Sequence, residues 1–424
     1  MILLPMMASL RLLWIVLLCA PSLALFGQGN PPLTPEQYRA DYAYFWTTVQ
    51  EDYAYFGNKQ TDWDKVRQRS EAALPGITTR AQFVRLLEND LAELYDNHAS
   101  LSTNLPDSHR LVPTGADVYG RFDQGRAVVV AVRPGFGAER AGLRAGMELV
   151  AVNNVPIAEA VRQLLPQCLK ASDAAAQEFA LNQALAGDHR TPRTFTVRLN
   201  KKRQLLEPDR QGMLLENVQY PALLTSHRIG PVGYIRINNS LGNNRLLIAF
   251  DSALTALQNP AGLVLDLRDT PSGGNTTVAR GLMGRLITQE QPYQRHEQPA
   301  EEARFGIRRS WLELVSPRPA PYTGPLVVLV GRWTASMGEG ITVGLDAMKR
   351  ATIMGTEMAR LNGSVYSYQL PNSGIGFNIP TERLYRVDGL PREQFVPAVY
   401  VPPAPDTTDA PLAAALLRLQ HPNK

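Results

Sequence analysis

The sequence predicts an α/β core preceded by a helical region and a β-rich domain. From residue 231 onward, short continuous apolar runs alternate with stretches of helical periodicity. This alternation is typical of parallel strands that are buried between helices. Residues 111–200 instead show short strands and glycine turns, while apolar residues recur at helical spacing between residues 34 and 100. These three sequence patterns indicate three successive structural regions.

Length and composition limit the possible functions. The chain has 424 residues, which is long enough for two or three domains. Its net charge of +4 comes from scattered basic residues, and the cluster at 201–203 is typical of a solvated turn. We therefore expect no nucleic-acid partner. Histidine and cysteine show no metal-ligand spacing, and the glycines at 338–344 do not fit a dinucleotide-binding pattern, so we expect neither a metal nor a cofactor.

Residues 1–24 have the features of a secretory signal peptide. Arg11 supplies the positive flank, residues 12–19 form the apolar core, and Ser22-Leu23-Ala24 offers small residues for cleavage. The apolar run is much shorter than the ~20 residues needed to span a bilayer. The sequence therefore predicts secretion to the periplasm or outside the cell, with no stable membrane insertion after cleavage.

Residues 30–105 are predicted to be helical. Thr34 and Pro35 form a helix start, with a capping hydroxyl followed by proline at the first helical position. Two more helices are expected over residues 63–74 and 79–94. The last of these ends just before a short polar stretch that contains His98.

Residues 111–200 resemble a PDZ domain. A strand over residues 127–132 precedes a Pro-Gly turn, an Ala-Gly-Leu helix end at 141–143 and a strand that leads into Val152-Asn153-Asn154. PDZ domains bind an extended peptide by adding it to a sheet edge. The resemblance implies a peptide-binding role, and the alternative is a β-rich insert without a ligand.

Residues 205–424 are predicted to form the α/β core. Two of its strands lead into turns of unusual composition. One strand, at 262–267, ends in a turn that contains Gly273 and Gly274, and the other, at 326–330, leads to Thr334-Ala335-Ser336 and a helix. A serine at that place can be a helix cap or a nucleophile, because unpaired N–H groups of the first turn can serve either role.

In their order along the chain, these motifs resemble the tail-specific and tricorn-core family of serine peptidases, the C-terminal-processing peptidase superfamily. The motifs are Asp96-Asn97-His98, the PDZ-like segment, Asp266-Leu267-Arg268 with Gly273-Gly274, and Thr334-Ala335-Ser336. The resemblance implies a core of crotonase-like or ClpP-like βα layers and an active serine at Ser336. It also implies oxyanion donors at the N–H of Met337 and at the N–H of Gly273 or Gly274.

The resemblance also indicates which residue acts as the base. One branch of the family uses a lysine at a spacing that falls on Leu361 here, so the serine–lysine pair is missing. The tricorn-like branch uses a histidine, which His98 matches. A late glutamate orients that histidine, and Glu393 matches it best, with Glu382 and Glu357 as weaker candidates.

Together these features predict an exported serine endopeptidase with protein or peptide substrates. Ser336 would form an acyl-enzyme while His98 takes its proton. One alternative is a catalytically inactive, peptide-binding scaffold on the same fold. Another is a hydrolase of small esters or lipids. The sequence does not indicate an oligomeric state.

Overall fold

A computed structural model describes residues 33–210, 220–404 and 408–420 of the chain. The predicted signal peptide lies outside these residues. Within the described ranges, every helix is too short or too polar to cross a bilayer.

The amino-terminal region is helical, as predicted, over most of its length. Its described helices are α1 (Pro35–Asp52), α2 (Trp63–Ala73) and α3 (Arg80–Ala92). The side-chain hydroxyls of Thr34 and Thr79 each cap a helix by accepting a hydrogen bond from the main-chain N–H of the glutamine three residues later. The chain then enters a short strand, β1 (Ser100–Leu101), which the sequence did not predict.

The β-rich region contains an antiparallel sheet with the strand order β2-β3-β4-β6-β7, in which β5 pairs with β4. Its elements are β2 (Val118–Asp123), β3 (Arg126–Val132), α4 (Gly137–Arg140), β4 (Glu148–Val152), β5 (Val155–Pro156), α5 (Ile157–Leu164), α6 (Ala174–Ala186), β6 (Phe195–Leu199) and β7 (Lys202–Leu206). The sheet therefore continues past residue 200, where the domain boundary was expected.

Helix α6 closes the outer edge of β2. The side-chain oxygen of Asn182 accepts from the Gly120 N–H at 2.9 Å, and its amide donates to the Gly120 carbonyl at 3.0 Å. The Tyr119 hydroxyl donates to Glu178 on the same helix at 2.8 Å. Asn182 thus occupies the backbone groups that a peptide strand added at this edge would use.

The α/β core is built on a sheet with the order β17-β14-β13-β10-β9-β8, parallel except for the edge strand β8. Its strands are β8 (Leu224–Ile229), β9 (Val232–Ile237), β10 (Gly262–Asp266), β13 (Leu326–Val330), β14 (Thr352–Gly355) and β17 (Val399–Tyr400). Both β10 and β13 are buried along their whole length. Helices cover both faces, with α7 (Leu246–Ala256), α8 (Thr276–Gly284) and α10 (Met337–Ala347) on one and α11 (Ala410–Gln420) on the other.

A second, antiparallel sheet joins the core to the amino-terminal region. It has the order β1-β16-β11-β12, with β15 also paired to β16. Its later strands are β11 (Gln291–Glu297), β12 (Ser310–Val315), β15 (Ser364–Gln369) and β16 (Gly376–Tyr385), and α9 (Pro299–Phe305) connects β11 to β12. Ser100 of β1 pairs with Asn378 of β16, so His98 lies two residues before a strand that is fixed to the core.

Candidate active site

Ser336 lies on a strained turn between β13 and α10. Its backbone has φ 52° and ψ −108°, a conformation that residues with a side chain rarely adopt. An ordinary N-cap residue is extended instead. The Ser336 N–H donates to Oε2 of Glu339 at 2.8 Å. The next N–H, that of Met337, has no intrahelical acceptor because it belongs to the first helical turn.

The glycine turn after β10 lies directly against Ser336. Because β10 and β13 are neighbouring parallel strands, their carboxyl ends lead to the same place. Thr270 forms a parallel bridge to Thr334 beyond the strands, and its N–H donates to the Trp333 carbonyl at 3.0 Å. A Cβ added at Gly273 would lie only 2.6 Å from the Cβ of Ser336.

The two glycines of this turn have different roles. The Gly273 N–H donates to the Thr270 carbonyl at 3.1 Å, so it is not available to an oxyanion. This corrects the expectation for Gly273, because its φ of 62° and its contact with Ser336 explain the residue instead. The Gly274 N–H has no acceptor in the described part of the chain. Gly274 and Met337 are therefore the candidate oxyanion donors.

His98 is held in one tautomer by a main-chain carbonyl. Its Nδ1 lies 2.6 Å from the carbonyl oxygen of Asn362, and its own N–H donates to Oδ1 of Asp96 at 2.9 Å. A carbonyl only accepts, so Nδ1 carries the proton and Nε2 presents its lone pair. Burial lowers the pKa of His98, and the charge of Arg392 lowers it further. The ring is thus neutral at physiological pH.

A short segment, residues 359–363, connects the serine turn to the histidine. The N–H of Ala359, the first residue of the segment, donates to the Thr334 carbonyl at 3.0 Å. The N–H groups of Arg360 and Leu361 donate to Glu339 at 2.8 and 3.3 Å, and Asn362 follows them. Leu361 and Ser336 share the same carboxylate oxygen, Oε2 of Glu339. One segment is thus linked to both predicted catalytic residues, to Ser336 through Glu339 and to His98 through the Asn362 carbonyl.

Glu339 and Arg392 organise this segment, and the sequence analysis missed both. Glu339 is fully buried, and burial raises its pKa to about 7. The Arg392 guanidinium lies 3.8 Å from Glu339 and donates to the carbonyls of Leu361 and Gly363, each at 3.1 Å. The Ser-x-x-Glu spacing of Ser336 and Glu339 is a capping-box pattern, which was the available signal for Glu339.

Glu393, the expected orienting acid, does not contact His98. The Nδ1 that it would bind is occupied by Asn362, and the carboxylate oxygen Oε2 of Glu393 is buried without a hydrogen-bond partner in the described structure. Burial raises the pKa of Glu393. Its main-chain carbonyl accepts a hydrogen bond from Nε of Arg360 at 3.0 Å. Glu393 therefore makes no direct hydrogen bond to the ring in the described structure, and a role through an intervening hydroxyl group stays a prediction.

The two weaker candidates also point elsewhere. Glu382 accepts from His296 and from Tyr366, each at 2.8 Å, within the second sheet. Glu357 accepts from the Tyr400 hydroxyl at 2.9 Å, near the edge of the core. Neither one hydrogen-bonds to His98, whose Nδ1 is already bound.

The β-rich region contacts the glycine turn through buried polar groups. Nε and Nη2 of Arg133 donate to Oδ1 of Asp269 at 2.9 and 2.7 Å, four residues before Gly273. Burial alone would raise the pKa of Asp269, but the charges of Arg133 and Arg236 and the hydrogen bonds from Arg133 and Tyr220 together hold that pKa below its usual range. The Trp333 indole donates to the Ala116 carbonyl at 2.7 Å. Both turns of the site are thus supported from outside the core.

Comparison with known proteins confirms the predicted family resemblance. Residues 231–397 match the model of Peptidase family S41, and residues 34–92 match that of the Tricorn protease C1 domain. The first match contains Ser336 and both turn glycines. His98 lies between the two matched segments.

The "C-terminal processing peptidase, chloroplastic" of Tetradesmus obliquus is 29% identical over 254 residues, which are 57% of this chain and 50% of that protein. The chain thus matches about half the length of this relative. The photosystem II D1 C-terminal processing protease has a TM-score of 0.56 at 22% identity, covering 91% of this chain and 98% of that one. Mature CPAF complexed with lactacystin has a TM-score of 0.56 at 16% identity, covering 91% and 96%. These structures share the fold.

Proposed function

We propose that this chain is a serine peptidase that acts through Ser336, because residues 231–397 match Peptidase family S41 and Ser336 occupies a strained turn within them. The observation that carries the proposal is the contact between Ser336 and Gly273, beside two unused N–H donors at Met337 and Gly274. A nucleophile needs such donors where negative charge develops on the substrate. A helix cap alone would need neither the donors nor a backbone with positive φ.

The proposed reaction follows from the tautomer of His98. Nε2 of His98 accepts the hydroxyl proton as Oγ of Ser336 attacks the peptide carbonyl. The N–H groups of Met337 and Gly274 stabilise the oxyanion of the tetrahedral intermediate. When it collapses, Nε2 returns the proton to the leaving amine, and an acyl-enzyme remains on Ser336. Water, deprotonated by the same Nε2, then hydrolyses the ester.

A cavity lined by Asp96, Asn97 and Ala99, which flank His98, is the proposed place for part of a peptide substrate. It has a volume of about 530 Å³ and lies between α3, the residues before His98, and helices α5 and α6. Polar and apolar side chains share its wall, including Asp96, Asn97, Leu101, Leu111, Leu164 and Phe179. A mixed lining of this size suits several residues of an extended chain. We propose an endopeptidase that acts after export, which the pattern of residues 1–24 supports.

The test compares Ser336→Ala with Ser226→Ala, which changes an exposed serine on the edge strand β8. We expect Ser336→Ala to abolish both cleavage of a peptide library and labelling by a fluorophosphonate, with Ser226→Ala equal to wild type. A folded wild type that neither cleaves nor labels supports the inactive scaffold instead. A wild type that labels and hydrolyses esters but no peptide supports the esterase alternative.

A further inference from the structure

The His98 imidazole belongs to a closed loop of hydrogen bonds that also includes Asn362 and Asp96. Its Nδ1–H donates to the Asn362 carbonyl at 2.6 Å, and the Asn362 side chain donates from Nδ2 to Oδ2 of Asp96 at 2.9 Å. Oδ1 of Asp96 accepts a hydrogen bond from the His98 main-chain N–H at 2.9 Å, which closes the loop of hydrogen bonds. The residue that holds the imidazole is thus tied back to the histidine itself.

Asp96 is also held by a contact outside this loop of hydrogen bonds. It is 4% exposed, and Oδ2 also accepts from the Tyr53 hydroxyl of the helical region at 2.7 Å. A buried carboxylate that accepts three hydrogen bonds has little freedom to rotate. Asp96 can therefore hold the Asn362 side chain in a fixed position.

The carbonyl of Asn362 is fixed from the other side as well. Glu339 accepts the two N–H groups that precede Asn362 in the chain, while Arg392 donates to the carbonyls of Leu361 and Gly363 on either side of it. These contacts hold the neighbouring peptide groups, and the contact between the Asn362 side chain and Asp96 sets the direction of the carbonyl between them.

We propose that Asn362 and Asp96 are the positioning residues for His98, acting in place of an acidic side chain on the ring. Asn362 sets the tautomer through its carbonyl, and Asp96 holds Asn362 through its side chain. Asp96 also brings a negative charge near the imidazolium that forms during the reaction. The catalytic meaning of this pair rests on the proposed function, whereas the tautomer can be measured without activity.

Three variants separate the pair from its surroundings. Asn362→Asp places a carboxylate against Asp96, and Asp96→Asn removes the charge. The double variant D96N/N362D restores one donor and one acceptor in the reverse order. Asn372→Asp is the matched control, because the Asn372 amide donates to buried Asp41 at 2.8 Å at a site formed with α1. It introduces the same like-charge contact away from His98.

The first measurement is the ring ¹⁵N spectrum of His98 in Ser336→Ala protein, assigned by the signals lost in His98→Gln. We expect protonated Nδ1 and unprotonated Nε2. Asn362→Asp and Asp96→Asn should give a mixture of tautomers, the double variant should restore the single tautomer, and Asn372→Asp should leave it unchanged. A wild-type ring protonated on Nε2, or an unchanged tautomer in both folded single variants, overturns the inference.

The second measurement is the rate of fluorophosphonate labelling of Ser336 against pH. Each single variant should slow labelling about 10- to 100-fold, less than the ~10⁴-fold loss of a triad acid in direct contact with its histidine. Partial recovery in D96N/N362D supports positioning, and equal rates in wild type and both single variants contradict it. If wild type never labels but the tautomers behave as expected, the positioning pair stands and the proposed peptidase function fails.

Discussion

Gly273 touches Ser336 so closely that no side chain fits between them. A Cβ at residue 273 would lie 2.6 Å from the Cβ of Ser336 and 3.0 Å from its Oγ. The two residues belong to different turns, one after β10 and the other after β13. Their contact brings the two turns of the proposed catalytic site together.

Gly273→Ala should therefore lower activity by at least about 10²-fold. The added methyl group meets Ser336, and a φ of 62° is strained for alanine. Moving either turn by about 1 Å is enough to lose on the order of 10²-fold in rate. Gly242→Ala is the control, since a Cβ there meets nothing within 4 Å. Peptidase and labelling assays on both folded variants check this, and full activity in Gly273→Ala would contradict the placement of the site.

His98→Ala should cost about as much activity as Ser336→Ala, and the double variant should lose no more than either one. Members of one catalytic unit are non-additive in this way. Burial and Arg392 lower the pKa of His98, so Nε2 stays unprotonated below the ordinary value near 6.5. The acid limb of kcat/KM should have its midpoint below that value. An activity that rises only above pH 8 would indicate a different base.

The buried strands of the core could be read from the sequence because their apolar runs are continuous. The strand Leu326–Val330 was predicted with the bounds that the structure has, and the strand predicted over residues 262–267 is one residue shorter in the structure. The cap at Thr34 also marked the start of α1. In each case a local pattern and the tertiary environment favour the same structure.

The second sheet had no such signal. Its strand β12 alternates exposed and partly buried residues over most of its length, and β15 contains no fully buried residue, so neither has an apolar run. The same limit applies to the site. Asn362 binds His98 through its main-chain carbonyl, a contact that no residue type encodes. Glu393 was chosen because it matches the late glutamate of the family, but its neighbour Arg392 is the residue whose side chain holds the segment.

Glu339→Gln should change how stability depends on pH. Burial raises the pKa of Glu339 to about 7 in the folded protein, against an unfolded value near 4.3. Folding therefore favours the protonated acid, and this contribution, complete below about pH 4.3, is lost as pH rises through about 7. Across that window wild type should lose on the order of 3 kcal/mol relative to Glu339→Gln.

Urea unfolding of wild type and Glu339→Gln at pH 4.5, 6 and 8 measures this difference. Glu302→Gln, which changes an exposed glutamate of α9, is the control and should keep the wild-type slope. Parallel curves for wild type and Glu339→Gln would mean that Glu339 titrates normally in the folded state.

Arg133→Ala tests whether the β-rich region supports the glycine turn. Arg133 donates twice to Oδ1 of Asp269, and both side chains are buried. Removing one partner of a buried ion pair costs about 3 to 5 kcal/mol. The cost here should fall at the lower end, about 3 kcal/mol, because Arg236 and Tyr220 still bind Asp269 at 2.6 and 2.8 Å.

Loss of the Arg133–Asp269 contact should also lower catalytic activity, because Asp269 lies at the start of the turn that positions Gly273 and Gly274. We expect Arg133→Ala to lower kcat more than it raises KM, since the turn contributes the oxyanion donor rather than the substrate cavity. Arg126→Ala, an exposed arginine at the other end of the same strand, should change neither stability nor kcat. Deleting the whole region would be less informative, because it would also remove the Ala116 carbonyl that binds Trp333. If Arg133→Ala loses stability but keeps the wild-type kcat, the contact with Asp269 joins the two regions without positioning the turn.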